Sequence, residues 1–135
     1  MRILFVLEYF SPHIGGAETL FEQLVQTLVQ KGHKVTVLTT RLPGTQAAEK
    51  KNGLQILGIK TPPFARRYWF TLLAIPWAIN LAREHDIIHT TTYNAALPAW
   101  LAAKITGKKV ILHVLEVFGR QWFALGEKNL KLIYF

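Results

Sequence analysis

Cysteine is missing altogether from the 135 residues, and aspartate occurs once, as Asp86. Without thiols the chain forms neither disulfides nor thiolate metal sites, and its composition suits a reducing compartment. Nor does it hold an apolar run of the roughly 18 residues that a membrane-crossing helix needs. The first apolar run, Ile3 to Leu7, is short, ends at Glu8 and has no small-residue cleavage site after it, so it is not a signal peptide. No internal repeat or low-complexity tract is present. A G-x-G-x-x-G fingerprint is also lacking, and the second apolar run ends Thr39-Thr40-Arg41 where a ribose-binding acid would stand. NAD(P) is left a distant alternative.

What is present is a chain half hydrophobic, with 16 basic residues against eight acidic and a formal charge of +8. Half-hydrophobic composition excludes general disorder, and the length suits one domain. A basic balance fits nucleic acid, anionic lipid or a phosphorylated ligand. Position separates the charges. Lys31, Lys34, Arg83, Lys104, Lys108 and Lys109 fall at helix ends or just before strands, where cations complement the helix dipole. Arg41, Lys60, Arg66, Arg67 and Arg120 follow strand ends, on the side where α/β sheets bind ligands. Aromatic residues lie in apolar runs and are not interleaved with basic ones, so nucleic acid is not an expected partner.

The opening stretch organises the rest. Ile3 to Leu7 suits a strand buried on both faces, and a polar turn with Ser11, Pro12, Gly15 and Gly16 breaks it. Leu20/Phe21, Leu24/Val25 and Leu28/Val29 then recur four apart, one face of a helix that Gly32 stops. His33 to Thr40 is a second strand, which completes a right-handed βαβ unit. Leu42 to Asn52 reads as a polar loop, Gly53 to Lys60 as a third strand, Asp86 to Thr90 as a fourth and Lys109 to Val117 as a fifth. Asn94 is the expected N-cap of an alanine-rich helix closed by Gly107. Arg66 to Arg83 is apolar nearly all round, and Pro76 is expected to kink or split it. It reads either as a core helix or as a membrane-surface helix with Arg66 and Arg67 at phosphate level and Tyr68, Trp69 and Trp77 in the interface; its low polarity favours the core. The fold class expected is α/β, a Rossmann-like doubly wound parallel sheet of about five strands in the order 3-2-1-4-5.

A helix N-terminus leaves about four backbone N–H groups unpaired and carries partial positive charge. Gly15 and Gly16 remove the Cβ atoms that would hold a ligand off those donors. The turn therefore reads as a phosphate site, or as a plain tight turn whose glycines supply positive φ.

Ser11-Pro-His-Ile-Gly-Gly-Ala-Glu18 after a first strand, with Gly32-His-Lys-Val-Thr-Val-Leu-Thr39, resembles the N-terminal half of a GT-B-fold glycosyltransferase of the retaining, nucleotide-sugar-dependent family four. Asp86-Ile-Ile-His-Thr-Thr91 and Lys109-Val-Ile-Leu-His-Val-Leu-Glu116 extend the resemblance over nearly the whole chain. It implies the acceptor-side half of an enzyme that moves a sugar from a UDP- or GDP-sugar to a glycan or lipid-linked acceptor. No cofactor and no metal are implied, and one aspartate cannot make the D-x-D motif of the other large glycosyltransferase architecture. Two positions depart from the family, which often has histidine where this chain has Thr91 and Leu115. Glu116, His113 and His89 are the substitute catalytic candidates. Gly15, Gly16, Ala17 and Glu18 are assigned to the donor phosphate, and His13, Tyr93, Asn94 and Arg120 to substrate. A bland alternative stands beside each: core histidines, solvated carboxylates, a surface His13.

The family's donor domain carries two glutamates separated by seven residues, and no such pair occurs here. The expectation is one Rossmann-like N-terminal domain, incomplete, inactive alone, with its fifth strand left as an edge or covered by a C-terminal half or a second copy. A cytoplasmic place is expected, with peripheral contact at the cytoplasmic face of a membrane. The rival from another class is a non-catalytic module that binds a protein partner or an anionic membrane.

Overall fold

The computed structural model describes residues 1–13 and 15–115. Along the chain run β1 (Arg2–Val6), α1 (Gly16–Gln30), β2 (Lys34–Thr40), β3 (Ala48–Lys51), β4 (Leu54–Ile59), α2 (Arg66–Arg83), β5 (Ile87–Thr91), a 3-10 turn (Tyr93–Ala95), α3 (Ala96–Thr106) and β6 (Lys109–His113). They form one sheet in the order β3-β4-β2-β1-β5-β6. Every neighbouring pair is parallel except β3 with β4. With β3 set aside, the remaining five strands stand in the expected 3-2-1-4-5 order.

The extra strand corrects the reading of 42–52 as a loop. Ala48-Glu-Lys-Lys is exposed throughout, so no apolar alternation marks it. Its signal is the turn: Asn52 (φ 41°) and Gly53 (φ 89°) both sit in the left-handed region, as a two-residue hairpin requires. Asn-Gly between two extended runs was the cue.

The sheet is covered on both faces. Ile3, Phe5, Leu7, Val35 and Val37 pack under Phe21 and Val25 of α1. Leu4, Val6, Leu38, Ile59 and Ile88 pack under α2 and α3. In α2 the buried stripe is Phe70, Ala74, Ala78 and Ala82, one residue per turn, against Ala95, Ala99, Ala102 and Ala103 on α3's side. These alanines let the two helices lie close together over the sheet. One stripe of α2 is thus core, as the core reading expects, while Tyr68, Trp69, Leu72 and Trp77 are exposed.

Pro76 does not split α2, which runs unbroken from Arg66 to Arg83. The residue is on the exposed side, where water can reach the carbonyl that its missing N–H leaves unpaired. Asn94 is not the N-cap of α3; it lies in the 3-10 turn, and Ala95 precedes the helix. Gly32 and Gly107 follow their helices at φ 89° and 71°, as expected of residues at that place. Among the described residues no helix is long and apolar enough to cross a membrane.

Candidate functional site

At the carboxyl ends of β1 and β5 the strand order turns: β2 continues from β1 to one side, β5 and β6 to the other. A crevice must open there, because the connections leave the sheet toward opposite faces. A cavity of about 240 Å³ occupies it. Its walls come from the end of β1 (Leu7, Glu8, Tyr9), the start of α1 (Ala17, Glu18, Phe21), Arg67 of α2, Thr91 to Tyr93, and Leu115.

Glu8 is the group that sequence reasoning missed. In the sequence it is only the residue that ends the first strand. Its carboxylate is 14% exposed, with Oε1 3.0 Å from Arg67 Nε. That oxygen has no directed hydrogen bond, so the pairing is electrostatic. Oε2 accepts from Asn94 Nδ2 at 3.4 Å. Burial raises the Glu8 pKa above its ordinary value, and the Arg67 charge and the Asn94 hydrogen bond offset part of that rise. A buried acid with a raised pKa at a cleft floor is a group suited to proton transfer. Its signal in the sequence was an acid directly after a buried strand. Thr71 Oγ1 donates to the Asn94 carbonyl at 2.9 Å, so α2 holds the turn that holds Glu8.

Tyr93 lines the mouth of the cavity with φ 73°, a left-handed conformation unusual for a bulky residue. Such strain costs about 1–3 kcal/mol and persists only where surrounding structure imposes it. Tyr93 and Asn94, both assigned to substrate, are thus brought to the site, though Asn94's amide is turned to Glu8.

The glycine turn has a different geometry from the bare cradle expected. Gly15 is fully extended (φ −172°, ψ 167°), and neither Gly15 nor Gly16 needs positive φ. The tight-turn explanation of the pair therefore falls away. What Gly15 makes room for is the Glu18 carboxylate, which lies where a Cβ would stand. Beside Gly16 a Cβ would meet nothing within 4 Å. Among the described residues α1 has no side-chain cap, its N-cap being Gly15. Glu18 Oε1 is 3.2 Å from Nδ1 of His13, whose ring stacks on Tyr9 at 4.5 Å. Ala17 and Glu18 line the cavity; Gly15, Gly16 and His13 stand beside it.

His89 and His113 are adjacent on β5 and β6, their rings stacked at 5.8 Å. His89 also stacks on Phe5 at 4.7 Å, and Phe21 meets both imidazoles edge-on. Neither histidine lines the cavity. His89 Nε2 is buried without a partner. Burial, then the His113 charge, lowers its pKa from the ordinary value. Glu116 and Arg120 lie outside the described residues. Thr91 and Leu115, where the resembled family often carries histidine, are both cavity wall. Among the described residues the cavity therefore offers two carboxylates, one guanidinium, and hydroxyls. Among the described residues no group of three His, Asp or Glu could hold a metal ion.

The model of glycosyltransferase family 4 matches residues 14–131. The chain belongs to that family. An uncharacterised 42.6 kDa protein of a cps region in Klebsiella pneumoniae is 33% identical over 70 residues, 51% of this chain and 18% of that protein. A phosphatidylinositol N-acetylglucosaminyltransferase subunit of Arabidopsis thaliana is 25% identical over 126 residues, 88% of this chain and 28% of its own length. The family-4 domain thus spans under a third of both relatives. Among solved structures, the catalytic domain of Arabidopsis thaliana starch synthase IV, bound to ADP and acarbose, superposes with a TM-score of 0.63 at 16% identity, over 84% of this chain and 33% of that one. The C-terminal domain of a Pyrococcus furiosus hydrogenase gives 0.59 at 14% identity, over 82% and 89%. Identities this low show the shared Rossmann-like fold alone.

Proposed function

We propose that this family-4 chain forms the acceptor side of a transferase that moves a sugar from a UDP- or GDP-sugar to a glycan or lipid-linked acceptor, and that it works with a second, donor-binding domain. The observation that carries the reading is buried Glu8 at the floor of the switch-point cavity, fixed by Arg67 and Asn94. In the transfer, the acceptor oxygen bonds to the anomeric carbon, the bond from that carbon to the donor phosphate breaks, and the hydroxyl proton must leave. Glu8 is placed to take that proton or to orient the hydroxyl, and its raised pKa helps it hold the proton. Tyr93 and Arg67 border the space for the acceptor. The donor diphosphate is assigned to the amides of Gly15 to Glu18, and His13 and Arg120 are assigned to substrate. Glu18, now over Gly15, must turn aside for it, since a carboxylate repels a phosphate. The cytoplasmic location belongs to this proposal too.

The test is sugar transfer by this chain with a family-4 donor domain supplied in trans. Glu8→Gln should lower transfer about a hundredfold while donor binding stays within about twofold. Gly16→Trp should abolish donor binding by filling the approach to the amides. Unchanged turnover in Glu8→Gln would remove the reading.

A further reading, peripheral membrane contact, is favoured by one observation: Tyr68, Trp69, Leu72 and Trp77 of α2 and Trp100 of α3 are exposed. Neither helix contains an acidic residue.

A further inference from the structure

A second hollow lies on the same edge of the sheet, away from the Glu8 cavity. It measures about 280 Å³ and is enclosed by Arg41 and the 42–45 turn after β2, by Lys60 and Thr61 after β4, and by Arg66 at the start of α2. Among the described residues three cations border it and no acid does. Among the described residues none of the three is in an ion pair. Glu49 borders a neighbouring hollow with Arg41 but makes no ion pair with it. Three like charges around one concavity repel each other, and surface cations normally avoid that arrangement. An anion between them reverses the sign of the energy.

Arg41 is built in, unlike a free surface side chain. Its backbone N–H donates to the Ile59 carbonyl at 2.9 Å, and its Nε donates to the Thr45 carbonyl at 3.2 Å. Thr45 is itself held by its N–H and hydroxyl on the Leu42 carbonyl. The Arg41 stem lies so close to Gly58 that a Cβ there would meet it at 3.0 Å. Nε is thus occupied by the protein, and the two terminal nitrogens have no partner among the described residues. A guanidinium fixed in this way loses little entropy on binding an oxyanion, and it binds with two parallel donors. Thr61 adds a hydroxyl to the same wall.

We propose that this hollow is a binding site for a phosphate or diphosphate group, separate from the α1 turn, with Arg41 as its fixed anchor and Lys60 and Arg66 as its further cations. Assigning that group to the acceptor rests on the transferase reading; the site itself does not. The phosphate arrives either on a soluble molecule or at the head of a lipid. Phe64, Tyr68 and Trp69, exposed just beyond Arg66, with the Phe64 and Trp69 rings 6.4 Å apart, would meet an attached hydrocarbon.

The experiment titrates the chain at low ionic strength with inorganic pyrophosphate, and separately with phosphatidate-containing and pure phosphatidylcholine vesicles. The variants are Arg41→Gln/Lys60→Gln/Arg66→Gln and a charge-matched control at the opposite sheet edge, Lys31→Gln/Lys34→Gln/Lys108→Gln. Circular dichroism checks folding, and single Lys60→Gln, on an exposed side chain, serves if the triple variant unfolds. Saturable pyrophosphate binding that weakens about tenfold or more in the triple variant, and less than twofold in the control, supports a soluble phosphate. Binding of phosphatidate vesicles alone, lost in the triple variant, supports the lipid source. No binding to either, or equal loss in triple variant and control, overturns the site. Loss in Gly16→Trp but not in the triple variant places the anion on the α1 turn; it overturns this site and leaves the transferase reading standing.

Discussion

The two ends of the sheet treat their polar groups in opposite ways. At the amino edge the groups that tie one element to another are paired. His85, 7% exposed, donates from Nδ1 to the Leu81 carbonyl at 2.6 Å and pairs through Nε2 with the Thr36 hydroxyl at 2.8 Å. Exposed Asp86 ties β5 to β1, accepting from the Arg2 N–H at 2.7 Å while its own N–H donates to the Arg2 carbonyl. The Arg2 hydrogen bond is the main reason its pKa is lowered. The exception at this edge is one ring nitrogen, Nδ1 of half-buried His33. Elsewhere the pattern changes: Glu8 Oε1 at the carboxyl edge and His89 Nε2, halfway along β5 and outside the cavity, are buried without a hydrogen bond among the described residues, and Tyr93 at the cavity mouth is strained. Buried polar groups that a fold uses for itself are satisfied. Unsatisfied and strained ones collect where a ligand completes the arrangement. His33 shows that one orphaned atom marks nothing by itself; at the carboxyl edge the orphaned Glu8 oxygen lines the same cavity as the strained Tyr93, and that combination sets this edge apart.

A pair of matched substitutions sharpens that difference most. His85→Phe orphans the Leu81 carbonyl and the Thr36 hydroxyl and should cost about 1–3 kcal/mol of unfolding free energy. His89→Phe removes an unpartnered nitrogen from an aromatic stack and should leave stability unchanged or up to about 1 kcal/mol higher. Urea unfolding of both variants checks this; equal losses would erase the distinction between satisfied and orphaned groups.

The orphaned groups should also show in the pH dependence of stability. The folded pKa of His89 lies below 6.5, so between the two values the unfolded chain binds more protons. Stability is then intact above about 6.5 and is lost as pH falls through the window. Glu8, raised above 4.5, acts with the opposite sign: the folded chain binds more protons there, and stability declines as pH rises through its window. Urea midpoints measured against pH should lose the first limb in His89→Phe and the second in Glu8→Gln. A limb that survives its own substitution would assign it to another group.

How much of this the sequence disclosed depends on the range of the interaction involved. The strand order follows from apolar runs and turns read locally, and so do the ends of α1 and α3 at Gly32 and Gly107. β3 escaped because an exposed edge strand buries nothing and so carries no apolar period; only Asn52-Gly53 marked it. Pro76 misled because whether a helix tolerates proline depends on which face the residue occupies. Ala17, Glu18, Tyr93 and Asn94 were singled out as residues at helix starts, and the first three line the cavity. Glu8 was not, because its burial and its ties to Arg67 and Asn94 are contacts across 59 and 86 residues of chain. Proximity to a strand end was likewise what singled out Arg41, Lys60 and Arg66, though not that they share one hollow.

Strain at the mouth of the cavity gives a smaller effect. Tyr93→Gly frees the backbone from φ 73°. It should raise stability by about 1 kcal/mol at most, because glycine's greater freedom in the unfolded chain offsets part of the relief. If Tyr93 is held there for the acceptor, transfer should fall while stability rises. A variant that neither gains stability nor loses transfer would make the conformation an accident of the turn.

The smallest expected effect separates glycines kept for the backbone from those kept for space. Gly32, at φ 89°, meets nothing that a Cβ would strike, yet Gly32→Ala should cost about 1 kcal/mol because an L side chain is strained in that conformation. Gly16 has ordinary φ and equally open surroundings, so Gly16→Ala should leave stability within about 0.5 kcal/mol, or raise it slightly through helix propensity. Nothing in the fold itself therefore demands glycine at 16. Thermal unfolding of the two variants decides the point: if Gly16→Ala is as harmful as Gly32→Ala, the glycine serves the turn, and the open approach to the α1 amides is a by-product of folding.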